Sequence, residues 1–185
     1  VLESRPDGPE EAAETLAVAA ALPAPGGAGA VRDAVALLAR TQNADGGWGE
    51  GEDAPTDPWV SARVLCALAA LRPLPGVLFP EPLWARALAG AERLFAATDS
   101  WEARAWLAAA LRGAGHPKAA ERVAEVARRG IGLSPYARLL LGVPPEAPET
   151  ARADVDPAVA FSGTRPGWRA SPTQTLAAAL TARDD

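Results

Sequence analysis

Apolar residues recur every three to four positions along most of the chain, and clusters of Pro and Gly interrupt this pattern. A period near 3.6 is that of an amphipathic helix, and Pro or Gly at its edge marks a helix boundary. The alternation typical of a half-buried strand is not sustained anywhere. The pattern therefore predicts an all-α chain of nine helices, near residues 9–22, 29–42, 57–72, 81–97, 100–114, 117–130, 134–142, 147–161 and 171–183.

Three of the predicted helices share a short motif. Ala62-Arg63, Ala103-Arg104 and Ala137-Arg138 each begin an apolar run, and they are spaced by 41 and 34 residues. Such spacing is typical of a helix–turn–helix repeat, and stacked repeats curve into an arc. We therefore expect tandem antiparallel helix hairpins in an α/α-toroid-like arc or small barrel. One Ala-rich helix of each pair should lie inside and a more charged one, such as 117–130, outside, with an extra first helix.

The composition fits one helical domain. The chain has 185 residues, of which 49% are hydrophobic and 5% aromatic, so Ala, Leu and Val supply most of the core volume. Ala and Leu are strong helix formers, and the length suits a single core. We expect one domain over residues 1–185, with flexible ends at 1–8 and 184–185.

Charge argues against nucleic-acid binding, and hydropathy argues against a membrane-spanning segment. The net charge of −5 argues against nucleic acid, whose phosphates require clustered Lys and Arg. The basic pair Arg128-Arg129 closes a predicted helix, where cations favour the helix dipole. No run approaches the ~20 apolar residues of a membrane span. The single Cys66 excludes an internal disulfide, lies in an apolar run, and gives a weak indication of a cytoplasmic location.

The most specific motif runs from Leu38 to Gly49 and reads LARTQNADGGWG. Gln42 ends a predicted helix, and its amide could meet the free N–H groups of the next helix. Gly46 and Gly47 can supply a turn with positive φ, and the indole of Trp48 can fill the space between hairpins. The motif is thus interpreted as a structural clasp.

This motif resembles the QW repeat of squalene-hopene and oxidosqualene cyclases, in which an aliphatic residue is followed by Gln, a short spacer and Gly-x-Trp. Here the matching residues are Gln42, Asp45, Gly46, Gly47 and Trp48. The segment 57–61 resembles the next helix of the same families and of protein prenyltransferase β subunits, and 167–175 resembles a degraded second copy. The resemblance implies an α/α-barrel fold, and in these families the repeat is structural.

The resemblance also implies a catalytic aspartic acid that donates a proton to the substrate. Protonating cyclases carry an Asp-x-Asp-Asp motif whose middle Asp protonates an alkene or epoxide, and Asp154-Val155-Asp156-Pro157 is similar to it, with Pro in the fourth position. The similarity makes Asp156 the proton donor and Asp154 its partner. An Asp-Pro pair is also an ordinary helix start, in which Asp156 is the N-cap. Both interpretations stay open at the level of the sequence.

Aromatic side chains are the candidates for binding an apolar or cationic ligand, since their faces attract cations. The predicted substrate-binding residues are Trp59, Trp101, Trp106, Tyr136 and Phe161. Trp59 and Trp101 stand near the starts of predicted inner helices, so their rings could face a central cleft. The alternative is that these rings fill gaps in the core.

No metal or cofactor is expected. The zinc prenyltransferases use an Asp two residues before a Cys, and Val64 occupies that position before Cys66, while His116 is the only histidine. An Asp-rich magnesium motif and a phosphate-binding Gly loop are also absent from the sequence.

Two functions remain open. The first is a terpene-cyclase-like enzyme, an isomerase or lyase, which handles an apolar isoprenoid-type substrate by protonation-initiated cyclisation. Such enzymes usually carry a second helical domain that closes the cavity, so this chain would need a dimer mate or a partner subunit. The second is a non-catalytic helical-repeat module that binds a lipid-like ligand or a protein partner. A homo- or hetero-oligomer is compatible with either.

Overall fold

A computed structural model of the chain describes residues 6–21, 27–73, 79–129 and 133–142. Within these ranges every regular element is a helix, which confirms the all-α prediction. Each end lies within two residues of its predicted position. The helices predicted at 147–161 and 171–183 lie outside the described residues. The observed helices are α1 (Pro9–Ala21), α2 (Ala28–Thr41), α3 (Pro58–Leu71), α4 (Glu81–Ala97), α5 (Trp101–Gly113), α6 (Ala119–Arg129) and α7 (Pro135–Leu141).

Polar side chains begin three of these helices. Oδ1 of Asp57 accepts hydrogen bonds from the N–H groups of Trp59 (2.8 Å) and Val60 (3.1 Å), which otherwise have no partner in the first turn of α3. The hydroxyls of Ser100 and Ser134 cap α5 and α7 in the same way. The starts of α3, α5 and α7 are therefore set by local side-chain caps.

The odd-numbered helices form a row. α3 packs between α1 and α5, and α5 also contacts α7. The even-numbered helices pack beside the row, with α2 against α1, α4 against α3 and α5, and α6 against α5. Small side chains allow close approach of the axes, since Ala62, Ala105 and Ala108 are completely buried. The predicted pairing of Ala-rich helices with more charged ones is visible here, because Ala-rich α5 lies in the row and charged α6 lies beside it.

The extra first helix of the prediction corresponds to α1, which is the first member of the row and contacts α3. The Ala-Arg motif does not mark one structural position, because Arg63 is the sixth residue of α3 whereas Arg104 and Arg138 are the fourth residues of α5 and α7. Two residues of offset rotate a side chain by about 200° around a helix, so these arginines face different neighbours.

In the part of the chain that the structure describes, no helix is both long and apolar enough to cross a bilayer.

Candidate functional site

The loop between α2 and α3, residues 42–57 and hereafter the Trp48 loop, is anchored by Trp48. The indole is 1% exposed, and its Nε1–H donates to the carbonyl of Leu38 in α2 at 2.8 Å. The backbone N–H and C=O of Trp48 both bond to the hydroxyl of Ser61 in α3, at 2.9 and 3.1 Å. One residue thus joins two successive helices, and the side chain fills a gap between helices as the sequence predicted.

Two glycines of the loop have different reasons to be glycine. Gly46 has a φ of +83°, and a Cβ there would overlap the carbonyl of Arg86 in α4. The expectation of a positive φ at Gly47 is wrong. That residue has no positive φ, but a Cβ would overlap the methyl of Thr56 and lie 2.8 Å from Oγ of Ser61. Close packing, and not the turn conformation, therefore excludes a side chain at Gly47.

The role expected for Gln42 is also different in the structure. Its Nε2 donates to the carbonyls of Gly46 (3.0 Å) and of Leu83 in α4 (3.2 Å), so the amide meets carbonyls and not free N–H groups. The first N–H groups of α3 are occupied by Asp57 instead. Oδ1 of Asp45 accepts from the N–H of Gly47 (3.0 Å) and closes the turn.

Arginines of α4 hold the outer side of the Trp48 loop, a feature that the sequence did not reveal. Nη2 of Arg86 donates to the carbonyls of Gln42 (3.3 Å) and Asn43 (2.9 Å), and Arg93 donates to the carbonyl of Asp45. Each bond is side chain to backbone and joins residues more than 40 positions apart, which no local pattern records. The loop motif is a structural clasp among α2, α3 and α4.

Three of the predicted ligand-binding residues form a continuous cluster. The ring centroids of Trp59 (α3) and Trp106 (α5) are 5.8 Å apart and nearly edge to face, and those of Trp106 and Tyr136 (α7) are 5.0 Å apart. Such spacings are favourable for aromatic pairs. Trp106 is nearly buried, whereas Trp59 and Tyr136 are half-buried. We call this cluster of three rings on successive helices of the row the aromatic face.

Trp101, which was expected to face the same cleft, does not join it. Two guanidinium groups lie over its ring, with Cζ of Arg104 at 4.6 Å and Cζ of Arg129 in α6 at 4.9 Å from the ring centroid. Trp106 follows Trp101 by five positions, a rotation of about 140° around α5. The two indoles therefore face different sides of the helix, and Trp101 stabilises the contact with α6.

An ion triad lies beside the aromatic face. Arg63 follows Trp59 by one turn of α3, and its Nη1 and Nη2 bond to Oε1 of Glu10 (3.0 Å) and Oε1 of Glu14 (2.9 Å) in α1. The Arg63 side chain is 10% exposed, so the guanidinium is largely removed from water. The sequence analysis identified Arg63 only as part of a repeat. The signal that could have revealed the triad is the pair of carboxylates four positions apart on α1, which can bind one cation from a neighbouring helix.

The Tyr136 phenol of the aromatic face and the neighbouring Cys66 thiol keep their protons. Burial raises the pKa of the Tyr136 phenol, and the thiol of Cys66 adds to this rise while Arg63 opposes it. Burial also raises the pKa of Cys66 to about 12, partly offset by Arg112. Both groups are therefore neutral at physiological pH, and Cys66 behaves as the small apolar residue that the sequence predicted.

The single histidine belongs to a second charged cluster between α4 and α6. Nδ1 of His116 is 3.5 Å from Oε1 of Glu92, and Nη2 of Arg122 bonds to Oε2 of the same carboxylate at 3.1 Å. The hydrogen bond to Glu92 is the main cause that raises the pKa of Arg122. This cluster joins two even-numbered helices, so its evident role is structural.

Three predicted site residues cannot be placed, since Asp154, Asp156 and Phe161 lie outside the described residues. Over the ranges that are described, no group of three or more His, Cys, Asp or Glu side chains is arranged to hold a metal ion.

Comparisons of the chain with protein family models, with curated proteins and with solved structures find no match.

Proposed function

We propose that the chain binds an apolar, isoprenoid-type small molecule against the aromatic face. One observation carries the proposal: α3, α5 and α7 each contribute a ring to a single cluster, although the rings are 47 and 30 positions apart in sequence. Ligand sites are mostly lined by apolar and aromatic side chains, with a few polar groups that fix orientation. The aromatic face has this composition, with the Tyr136 hydroxyl and the ion triad as its polar groups.

The partial exposure of the rings supports binding over core filling. Trp106 is 8% exposed and is part of the core, but Trp59 and Tyr136 on either side of it retain accessible surface. Adjacent aromatic surface in contact with water is unfavourable, and covering it with a hydrocarbon chain recovers about 25 cal/mol per Å² of apolar area. An elongated apolar ligand that lies across the row would cover both rings.

The test is a binding titration with farnesol, a neutral isoprenoid alcohol, followed by isothermal calorimetry. We expect saturable binding that weakens at least about tenfold in Trp59→Ala and in Tyr136→Ala, since each variant removes a ring that contacts the ligand. Trp101→Ala is the matched control, because this indole is also half-buried but lies on another side of α5. Absence of saturable binding, or equal weakening in Trp101→Ala, would refute the proposal.

Protonation-initiated cyclisation is the catalytic form of this proposal, and the resemblance to cyclases supports it. Asp156 would donate the proton and Asp154 would support it, with a partner chain or second copy to close the cavity. Incubation with squalene and mass spectrometry of the products tests this form. Cyclised product that disappears in Asp156→Asn supports it, and product that persists in that variant removes Asp156 from the mechanism. Binding without turnover identifies a non-catalytic binding module.

A further inference from the structure

α7 is the last row helix that the structure describes, and its second half is apolar on every side. It reads PYARLLL, and its three consecutive leucines, 139–141, point in directions about 100° apart. Ala137 and Leu141 are buried, and the extensive contact of α7 with a described helix is with α5. Leu139 lies about 200° around the axis from each of them, so it faces the opposite side.

The side of α7 that faces away from α5 is exposed. Leu139 is 47% exposed, and within the described ranges it is the one large hydrophobic side chain in that state. Pro135 precedes it by four positions, lies on the same side and is exposed as well. We call these two residues the outer side of α7. A helix that is apolar all round is normally buried all round, so this side needs a cover.

A comparison with the other end of the row argues that the row continues past α7. α1 is a row helix whose extensive row contact is with α3, and it exposes Glu11 and Glu14. Stacked helical repeats end in a terminal repeat with a polar outer face, because nothing packs on that face. α7 exposes a leucine and a proline instead. The outer side of α7 therefore has the character of a contact between row helices and not that of an end.

The segment 171–183, which lies outside the described residues, has the sequence of a row helix. Its residues 176–180 read LAAAL, the same five letters as residues 107–111 of α5. In α5 all five are buried, because α5 contacts α3 and α7 in the row and α4 and α6 beside it. The alanines allow a neighbouring helix to approach closely, and the two leucines supply apolar area. A second copy of this pentapeptide is therefore favourable where other helices cover it.

Spacing and charge favour this segment over the predicted helix 147–161. α5 and α7 begin at residues 101 and 135, which are 34 positions apart, and residue 171 follows residue 135 by 36. The helix predicted between them is charged, like α6 beside the row, and its charged residues are Glu149, Arg152, Asp154 and Asp156. Residues 171–182 carry no charged side chain. We propose that 171–183 packs against the outer side of α7 as a further helix of the row, with Leu176 and Leu180 against Leu139.

Photo-crosslinking from position 139 tests this contact in the full chain. Leu139 is replaced by the photo-reactive residue p-benzoylphenylalanine, and the irradiated chain is digested with trypsin and mapped by mass spectrometry. Trypsin cleaves after Arg152, Arg169 and Arg183, so 153–169 and 170–183 are separate peptides. We expect the main product to be a cross-link within one chain between position 139 and peptide 170–183. The same probe in place of Glu121, which is exposed on α6, is the control and should not label that peptide.

Hydrogen exchange gives a second measurement that needs no bulky probe. We expect the amides of 173–183 to exchange at least about tenfold more slowly in the wild type than in the same peptide free in solution. Leu139→Asp should remove this protection, because it places a charge in the contact, whereas a substitution on an uncovered surface changes little. Glu121→Gln is the matched control and should leave the protection unchanged.

The other outcomes overturn the inference. A cross-linked dimer on a denaturing gel would show that a second copy of the chain covers the outer side of α7. A main product with peptide 153–169 would show that the preceding segment does so. Wild-type amides of 173–183 that exchange as in the free peptide would leave this side without its proposed cover. If the probe at position 139 disrupts the helical circular dichroism, the exchange measurement decides. None of these measurements needs a bound ligand, so the proposed function is tested separately.

Discussion

At the scale of single residues, Gly46 is the point at which the backbone of the Trp48 loop packs directly against α4. Its φ of +83° is one that side chains rarely allow, and its Cα faces Gly90 of α4, where a Cβ would lie 2.8 Å from the carbonyl carbon of Gly46. Two glycines in contact let the backbone of the loop lie directly on the helix. The position of α4 therefore depends on the absence of two methyl groups.

Replacing Gly46 by Ala should lower the free energy of unfolding by about 3 kcal/mol, because strain at positive φ and overlap with Arg86 add together. Urea denaturation followed by circular dichroism measures this change. Gly51→Ala in the same loop is the control, since a Cβ there meets nothing within 4 Å, and it should change stability by less than about 0.5 kcal/mol. Equal losses in the two variants would contradict the close packing described for Gly46.

Cys66 gives stability a pH dependence of defined sign. Burial raises its pKa from 9.0 to about 12, so the folded chain keeps the thiol proton to higher pH than the unfolded chain. The stabilisation is complete below pH 9 and is lost as the pH rises toward 12. Between these values the free energy of unfolding should fall more steeply in the wild type than in Cys66→Ala, by up to about 1 kcal/mol per pH unit. Parallel slopes in urea titrations across this window would show that the thiol ionises equally in both states.

At the scale of elements, α7 depends on α5 at both of its ends. The carboxylate of Glu102 accepts hydrogen bonds from the N–H (3.0 Å) and hydroxyl of Ser134, which in turn caps the first turn of α7. Arg112 donates to the carbonyls of the last turn. A helix of seven residues is too short to be stable alone. These polar contacts, together with burial of Ala137, therefore hold Tyr136 in the aromatic face.

Arg112→Met should release the end of α7 while it retains most of the side-chain volume. Hydrogen exchange measured by mass spectrometry should become at least about tenfold faster at residues 138–142, because the amides there open without global unfolding. Exchange in α1 and α3 should be unchanged. Arg128→Met is the control, since this arginine bonds to Ala124 in its own helix. Unchanged exchange in α7 would show that packing alone holds the helix.

The boundaries of the helices could be predicted from the sequence better than the face that each helix turns toward its neighbours. Pro, Gly and capping residues are local signals, and the seven described helices begin and end close to the predicted positions. Trp101 and Trp106 are five positions apart on α5, which separates their side chains by about 140° around the helix axis. The spacing shows that the two indoles cannot share one side of α5. Which of them faces α3 and α7 is set by the packing of the helices, and the sequence pattern does not record it.

The polar part of the site was harder still to predict. The bond between Arg63 and Glu10 joins residues 53 positions apart, and it requires α1 to lie beside α3. The sequence predicted an extra first helix but did not indicate which helices it would contact. Contacts of this kind follow from the order in which helices pack, and helical periodicity contains no information about that order.

At the scale of the whole molecule, the row of odd-numbered helices brings together the residues of the proposed site, which are far apart in the sequence. α1 supplies carboxylates, α3 a ring and the paired cation, and α5 and α7 the remaining rings. The even-numbered helices and the Trp48 loop hold the row from beside it. The residues that hold the loop and the residues proposed to bind a ligand thus lie on different parts of the molecule.

The account's central claim, that an apolar ligand lies across the rings of three successive row helices, is tested most directly by photo-crosslinking. A farnesol analogue with a diazirine in its tail is irradiated with the chain, and the labelled residues are mapped by mass spectrometry. We expect labelling in peptides that contain Trp59, Trp106 and Tyr136, and its suppression by excess farnesol. Labelling concentrated instead around Trp84 or Trp101, or spread evenly over the chain, would contradict the claim.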